Sequence, residues 1–246
     1  MDWENVQEEF SDYIEHGFEP FVTEDGSLTL ASIKRSGEKD MEPMHSKRGA
    51  FSESKFIYSE GCELYINKNP TLKHLSVVSV GLGLGYNELL TTNVCIEAGV
   101  SNFEIFSYEK ESVLVEAFIK RVECPLKYPI FWKPFKEMLG HSDKLLKLQK
   151  NVLEKIKHCG ELSKDNTSPF AGCVMVCFDA YSNKTSKELW DEMFLNGILQ
   201  LTTSGSVFCT YASTGNLNRA LKKNDYVNIN KSGFKGKRQS TCSFKK

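Results

Sequence analysis

Residues 77–90 read VVSVGLGLGYNELL. Small apolar residues run straight into three alternate glycines, Gly81, Gly83 and Gly85, and then into helix formers. A buried strand, a turn bare of side chains and a helix in that succession open a strand–helix–strand unit, which commits a chain to a parallel sheet. The downstream sequence keeps the same rhythm. YNELLTTNVCIEAG reads as a helix closing at Gly99, FEIFSYE as a strand and ESVLVEAFIKRV as a helix. A long helical stretch is expected over 135–157, broken near Gly140. CVMVCFDA and SVFCTYA read as strands around a helix over SKELWDEMFLNGILQL, and NLNRALKKN as a last helix. YVNIN and STCSF have no helix between them, so they should pair antiparallel at one edge. Strands alternating with helices predict an α/β sheet covered on both faces.

Upstream of residue 77 the pattern is less regular. Trp3, Val6, Phe10 and Tyr13 recur at helical spacing and predict a short amphipathic helix over 2–16. D-G and S-G pairs punctuate short alternating segments, which predicts hairpin strands, and SESKFIYSEGCELYI reads as a helix leading to the main sheet.

The glycine spacing narrows the ligand. The dinucleotide fingerprint is G-x-G-x-x-G, and a P-loop needs G-x-x-x-x-G-K-[ST]. Here the spacing is G-x-G-x-G, followed by Tyr86. That is the form of turn used for S-adenosylmethionine, whose amino-acid and sulfonium part lies over bare backbone. Glu109 ends the second strand, 28 residues after Gly81. A carboxylate there accepts hydrogen bonds from both ribose hydroxyls, a requirement shared with NAD. A plain turn and a surface charge would explain each feature singly; at these two points of one unit they specify a nucleoside. Asp179 ends the strand CVMVCFDA, in line with the same crevice. An acid beside a methyl sulfonium can attract an amine and take the proton the amine must lose before it attacks, although Asp also favours turns and helix caps.

Composition excludes other classes. No apolar run approaches the roughly 20 residues of a membrane span, and the acidic N-terminus lacks the basic start of a secretory signal, so the expected location is the cytoplasm. Eight scattered cysteines without a CxxC pair, and five dispersed histidines, predict free thiols and no metal. The net charge is −1, but residues 1–20 carry seven carboxylates and no Lys or Arg, while residues 216–246 carry nine Lys or Arg and one acid. A basic end of that kind can follow a phosphate backbone; a solvated surface is the plainer alternative.

The segments TEDGSLTL, HSKRGAFSESKFIY, VVSVGLGLGYN, FSYEKE, FDAYSNKTSKELW, TYASTGNLNRAL and GFKGKR occur in this order. As a set, over residues 20–245, they resemble the methyltransferase half of MnmC, the bacterial tRNA-modifying enzyme. The resemblance implies a class I S-adenosylmethionine-dependent fold: a Rossmann-like, mostly parallel seven-stranded sheet with an antiparallel edge over 71–246, preceded by a helix and short-strand extension over 1–70. It implies methylation of 5-aminomethyluridine, often 2-thiolated, at the tRNA wobble position. Carried over, Gly81, Gly83, Gly85 and Glu109 would hold the cofactor and Asp179 would act on the amine. Lys237 and Arg238, the closing basic pair, would lie near tRNA or the substrate base, with Lys235 and Arg219 on the same basic stretch.

The departures are specific. Ser79 stands where the family often has an acid. The family's Gly-Asp pair near the adenine aligns with Lys150 and Asn151, leaving Asn151 to meet the adenine amino group. Lys235 replaces a glycine. The FAD-dependent oxidase half is not present, so the amine would have to come from a separate upstream enzyme. Methylation of a small amine or a protein, and a non-catalytic nucleotide- or RNA-binding role, are the alternative functions.

Overall fold

The computed structural model describes residues 2–33, 42–229, 233–236 and 240–246. The acidic N-terminus forms two short helices instead of one. α1 (Trp3–Glu9) is capped by the Asp2 carboxylate on the Glu4 N–H, and α2 (Ser11–Ile14) restarts after a break at Phe10. β1 (Phe18–Val22), β2 (Leu28–Ser32) and β3 (Glu42–Pro43) form a small antiparallel sheet. The helix expected over SESKFIYSEGCELYI divides into α3 (Ala50–Ser54), a π-helical turn (Lys55–Ser59) and α4 (Glu60–Lys68).

Besides Asp2, two of the seven acidic side chains at the N-terminus reach the helices that follow. The Asp12 carboxylate accepts from both terminal nitrogens of Arg121, each at 2.8 Å, and Arg121 is wholly buried. The Glu9 carboxylate accepts the Ile130 and Phe131 N–H groups at 2.9 and 2.7 Å, satisfying donors that a helix start leaves open. Phe10 and Tyr13 pack on the Arg121 guanidinium from the same segment. The N-terminal helices therefore share one apolar core with the helices that follow.

The main sheet begins with β4 (Leu75–Val80), the glycine turn and α5 (Tyr86–Glu97), then β5 (Phe103–Tyr108) and α6 (Ser112–Glu123). α7 (Pro129–Leu139) starts earlier than expected, because Pro129 occupies the first turn, where a missing N–H costs nothing. It stops at Gly140, in the left-handed conformation at φ 71°. α8 (Ser142–Lys155) runs into β6 (Ile156–His158), a three-residue strand too short to carry any periodicity. β7 (Met175–Phe178) is buried along its whole length. α9 (Glu192–Leu201) begins six residues later than expected, where Asp191 caps the Met193 and Phe194 N–H groups. β8 (Val207–Thr210), α10 (Gly215–Lys223), β9 (Tyr226–Asn228) and β10 (Thr241–Lys245) complete the chain.

The strand order is β6-β5-β4-β7-β8-β10-β9. The first five strands are parallel, and β10 pairs antiparallel with both β8 and β9, forming the expected edge. Strand order reverses between β4 and β7. The carboxyl ends of those two strands carry the glycine turn and Asp179, at the position where open α/β sheets bind ligands.

Candidate active site

A cavity of about 470 Å³ opens at this switch point. Gly81, Leu82, Gly83, Glu109 and Asp179 all line it. Gly81 must be glycine: its φ is +87°, and a Cβ there would stand 2.5 Å from the Asp179 carbonyl oxygen. Gly85 serves a different purpose. It caps α5, does not line the cavity, and a Cβ on it would meet the Phe118 ring at 2.1 Å. Its bareness lets α5 pack against α6, a packing role beside the cofactor role expected of it.

Glu109 lies across the turn. One oxygen accepts the Gly83 N–H at 3.2 Å and the other the Glu111 N–H at 3.1 Å. Burial pushes its carboxyl above the usual range, against the opposing pull of those N–H groups. Each oxygen keeps a further lone pair for a hydroxyl.

Asn151, expected beside the adenine, lies away from the cavity. Asn151 sits in α8, donates to the Lys147 carbonyl at 2.9 Å and does not line the cavity. A Gly–acid pair, Gly160–Glu161, lies just after β6. The Gly160 carbonyl accepts the Glu109 N–H at 3.0 Å, and Glu161 and Leu162 line the cavity. A helix expected up to 157 leaves no room for β6. The acid absent at Ser79 has a neighbour of the same kind from α5. Glu88 is fully buried behind the turn and accepts the Ser107 hydroxyl at 2.7 Å. Burial pushes its carboxyl up to about 7, and the hydroxyls of Ser107 and Ser79 oppose the rise.

The opposite wall comes from the N-terminal module, the loop after β7 and the residue that follows β8. Glu42, His45, Glu53, Tyr181 and Tyr211 line it. The segment HSKRGAFSE owes its composition to this wall. Glu53 accepts the Ser46 N–H at 2.6 Å, and the His45 ring bonds the Thr29 hydroxyl at 3.0 Å. Asp25 accepts from Thr23, Ser27 and Ser52; burial alone would raise its carboxyl, but these bonds bring it down to about 2. Glu42 holds the Ser182 N–H at 3.2 Å and the Thr185 hydroxyl, tying β3 to the loop after β7. Sequence reasoning quoted this motif without giving these side chains a role, because the wall is assembled from segments more than 100 residues apart.

The basic residues separate. Lys237 and Arg238 lie outside the described residues. Lys235 is exposed, with φ 37°, and donates to the Arg48 carbonyl at 3.0 Å, beside the cavity-lining Lys47. Arg219 is not at the cavity: it pairs with Glu192 at 2.6 Å between α9 and α10. Among the described residues no group of three or more His, Cys, Asp or Glu is placed to hold a metal, and no helix is long and apolar enough to cross a membrane.

The crevice fits S-adenosylmethionine by its own chemistry. A cradle that a side chain at Gly81 would fill shares the cavity with the Glu109 carboxylate, with Leu82 and Leu162 as apolar lining. A protein-family model described as S-adenosyl-L-methionine-dependent methyltransferase matches residues 147–246. No curated protein matches the sequence. Among solved structures, MnmC2 from Aquifex aeolicus is similar over 99% of this chain and 78% of its own, at 20% identity and a TM-score of 0.65. An O-methyltransferase from Bacillus cereus in complex with SAH aligns over 76% of this chain and 81% of its own, at 11% identity and a TM-score of 0.45. The sheet order and the likeness to MnmC2 give this chain the fold of class I methyltransferases, and its part over residues 147–246 matches the S-adenosyl-L-methionine-dependent methyltransferase model.

Proposed function

We propose that this chain methylates the primary amine of 5-aminomethyl-(2-thio)uridine at the tRNA wobble position, giving the 5-methylaminomethyl form. One observation carries the reading: Asp179 shares a single cavity with the glycine turn and with a second wall bearing Glu42 and Glu53. That wall suits a cationic amine, and its tyrosines offer flat faces to a base. The order of motifs along the chain, and the likeness to MnmC2 over nearly its whole length, support the substrate class.

S-adenosylmethionine, when bound, supplies a methyl group on a positive sulfur. The backbone at Gly81 and Gly83 would carry its amino-acid part, Glu109 the ribose hydroxyls, and Glu161 and Leu162 the adenine side. Asp179 would draw the aminomethyl group towards the turn, orient it and accept its proton. General-base help of this kind is worth about 10²–10⁴-fold, and placement about 7–11 kcal/mol of the barrier. Lys47 and Lys235 would meet tRNA phosphates beside the cavity, and Lys237 and Arg238 would contact tRNA or the substrate base as the resemblance implies. The aminomethyl group would be made by a separate upstream enzyme, and the site of action would be the cytoplasm.

Nucleoside mass spectrometry of tRNA from cells lacking the protein tests the reading. Accumulated 5-aminomethyluridine, thiolated or not, is the expected result. An unchanged nucleoside profile would contradict it.

A further inference from the structure

Asp179 is held at three points by the β4–turn–α5 unit. Its N–H donates to the Val80 carbonyl at 2.8 Å, its own carbonyl lies over Gly81, and its Oδ2 accepts the Asn87 side-chain amide at 2.8 Å. Asn87 is in the first turn of α5, 2% exposed, and does not line the cavity. Its side-chain carbonyl oxygen is buried and has no hydrogen-bond partner among the described residues. A buried amide that leaves one end unsatisfied while committing the other to a carboxylate costs stability, and a plain packing residue would avoid that cost. Tyr58, from the π-helical turn, places its buried phenol beside the same carboxylate; burial first, and then the Asp179 charge, holds that phenol protonated. Hydrogen-bond donors on a carboxylate favour its charged form.

We propose that Asn87 is a positioning residue for Asp179, fixing one carboxylate oxygen against the cofactor turn so that the other is presented to the acceptor in a single orientation. The kinetic part of its test rests on the amine-methylating reading; the structural part does not.

The test compares Asn87→Ala and Asn87→Ser in the wild-type and Asp179→Asn backgrounds. The acceptor is tRNA bearing 5-aminomethyluridine, in single turnover at saturating S-adenosylmethionine. Displacement of a reacting group by about 1 Å costs on the order of 10²-fold, so each Asn87 variant should slow transfer about 10- to 100-fold. Calorimetric affinity for S-adenosylmethionine should stay within about twofold. In the Asp179→Asn background the same change should cost no further rate, since the two residues act as a unit. Equal losses in both backgrounds would overturn the proposal. The Ser variant carries the test if the Ala variant does not fold. Crystal structures of the variants give the independent arm: Asp179 should adopt a new or second rotamer, and an unmoved carboxylate would overturn the proposal. Failure of the wild-type protein to methylate tRNA would sink the substrate reading alone, leaving the rotamer to decide the role of Asn87.

Discussion

In the proposed reaction the two carboxylates at the crevice have separable duties. Asp179 ends β7 and Glu109 follows β5, so they approach a ligand from different strands. Asp179→Ala should cut methyl transfer by about 10²–10⁴-fold while affinity for S-adenosylmethionine stays near normal. Glu109→Ala should do the reverse, weakening the cofactor about 10-fold or more for the loss of charge-assisted hydrogen bonds. Isothermal calorimetry beside single-turnover rates reads both; equal effects on both quantities from either variant would erase the distinction. Glu88 gives a prediction in pH. Its folded-state value, about 7, lies above its ordinary 4.5, so the folded protein holds the proton more tightly than the unfolded chain. That contribution is complete below pH 4.5 and is lost as pH rises through 7. Glu88→Gln should remove a slope worth about 3 kcal/mol between those limits. Urea titrations at pH 5 and pH 8 measure it, and an unchanged difference between the two would refute it.

At the scale of elements, the N-terminal helices are tied to α6 and α7 by a few buried charges. Asp12→Ala would strand the buried Arg121 guanidinium without its carboxylate. Unpairing a buried ion costs about 3–5 kcal/mol; Asp12 is a quarter exposed, which favours the low end. Arg121→Met, which keeps the volume and removes the charge, should cost less. Denaturant midpoints distinguish the two, and an equal loss would mean that packing, not charge, holds the segment. The same scale shows what sequence could reveal. β4, the turn and α5 were legible because a continuous apolar run, alternate glycines and a helix pattern each carry their own signal. β6 was not, since three residues at the end of a 14-residue helix have no period of their own. Gly85 was visible as a glycine, but its neighbour Phe118 lies 33 residues on and no spacing rule connects them. The second wall of the cavity was invisible for the same reason: Glu42 reaches Ser182 only in the folded chain.

Across the whole molecule, the charge asymmetry resolves into two uses. Part of the acidic start is consumed by Arg121 and the α7 N-terminus. Part of the basic end is likewise consumed, since Lys245 donates to the Leu199 and Thr202 carbonyls and Arg219 pairs with Glu192. Under the proposed function the candidate phosphate contacts are Lys47 and Lys235, with Lys237 and Arg238 as the resemblance implies. If each of these four neutralised one phosphate, log affinity for tRNA should fall against log salt with a slope of about −3 to −4. Filter binding across a salt series tests this, and a flat line would remove the interface.

The most direct measurement is transfer of labelled methyl from S-adenosylmethionine into tRNA that carries 5-aminomethyluridine, with the product nucleoside identified by mass. Label should appear only in 5-methylaminomethyluridine or its 2-thio form, should vanish on ribonuclease treatment of the substrate, and should be almost lost with Asp179→Ala. Label in protein or a small amine, or an Asp179→Ala variant as fast as wild type, would contradict the account.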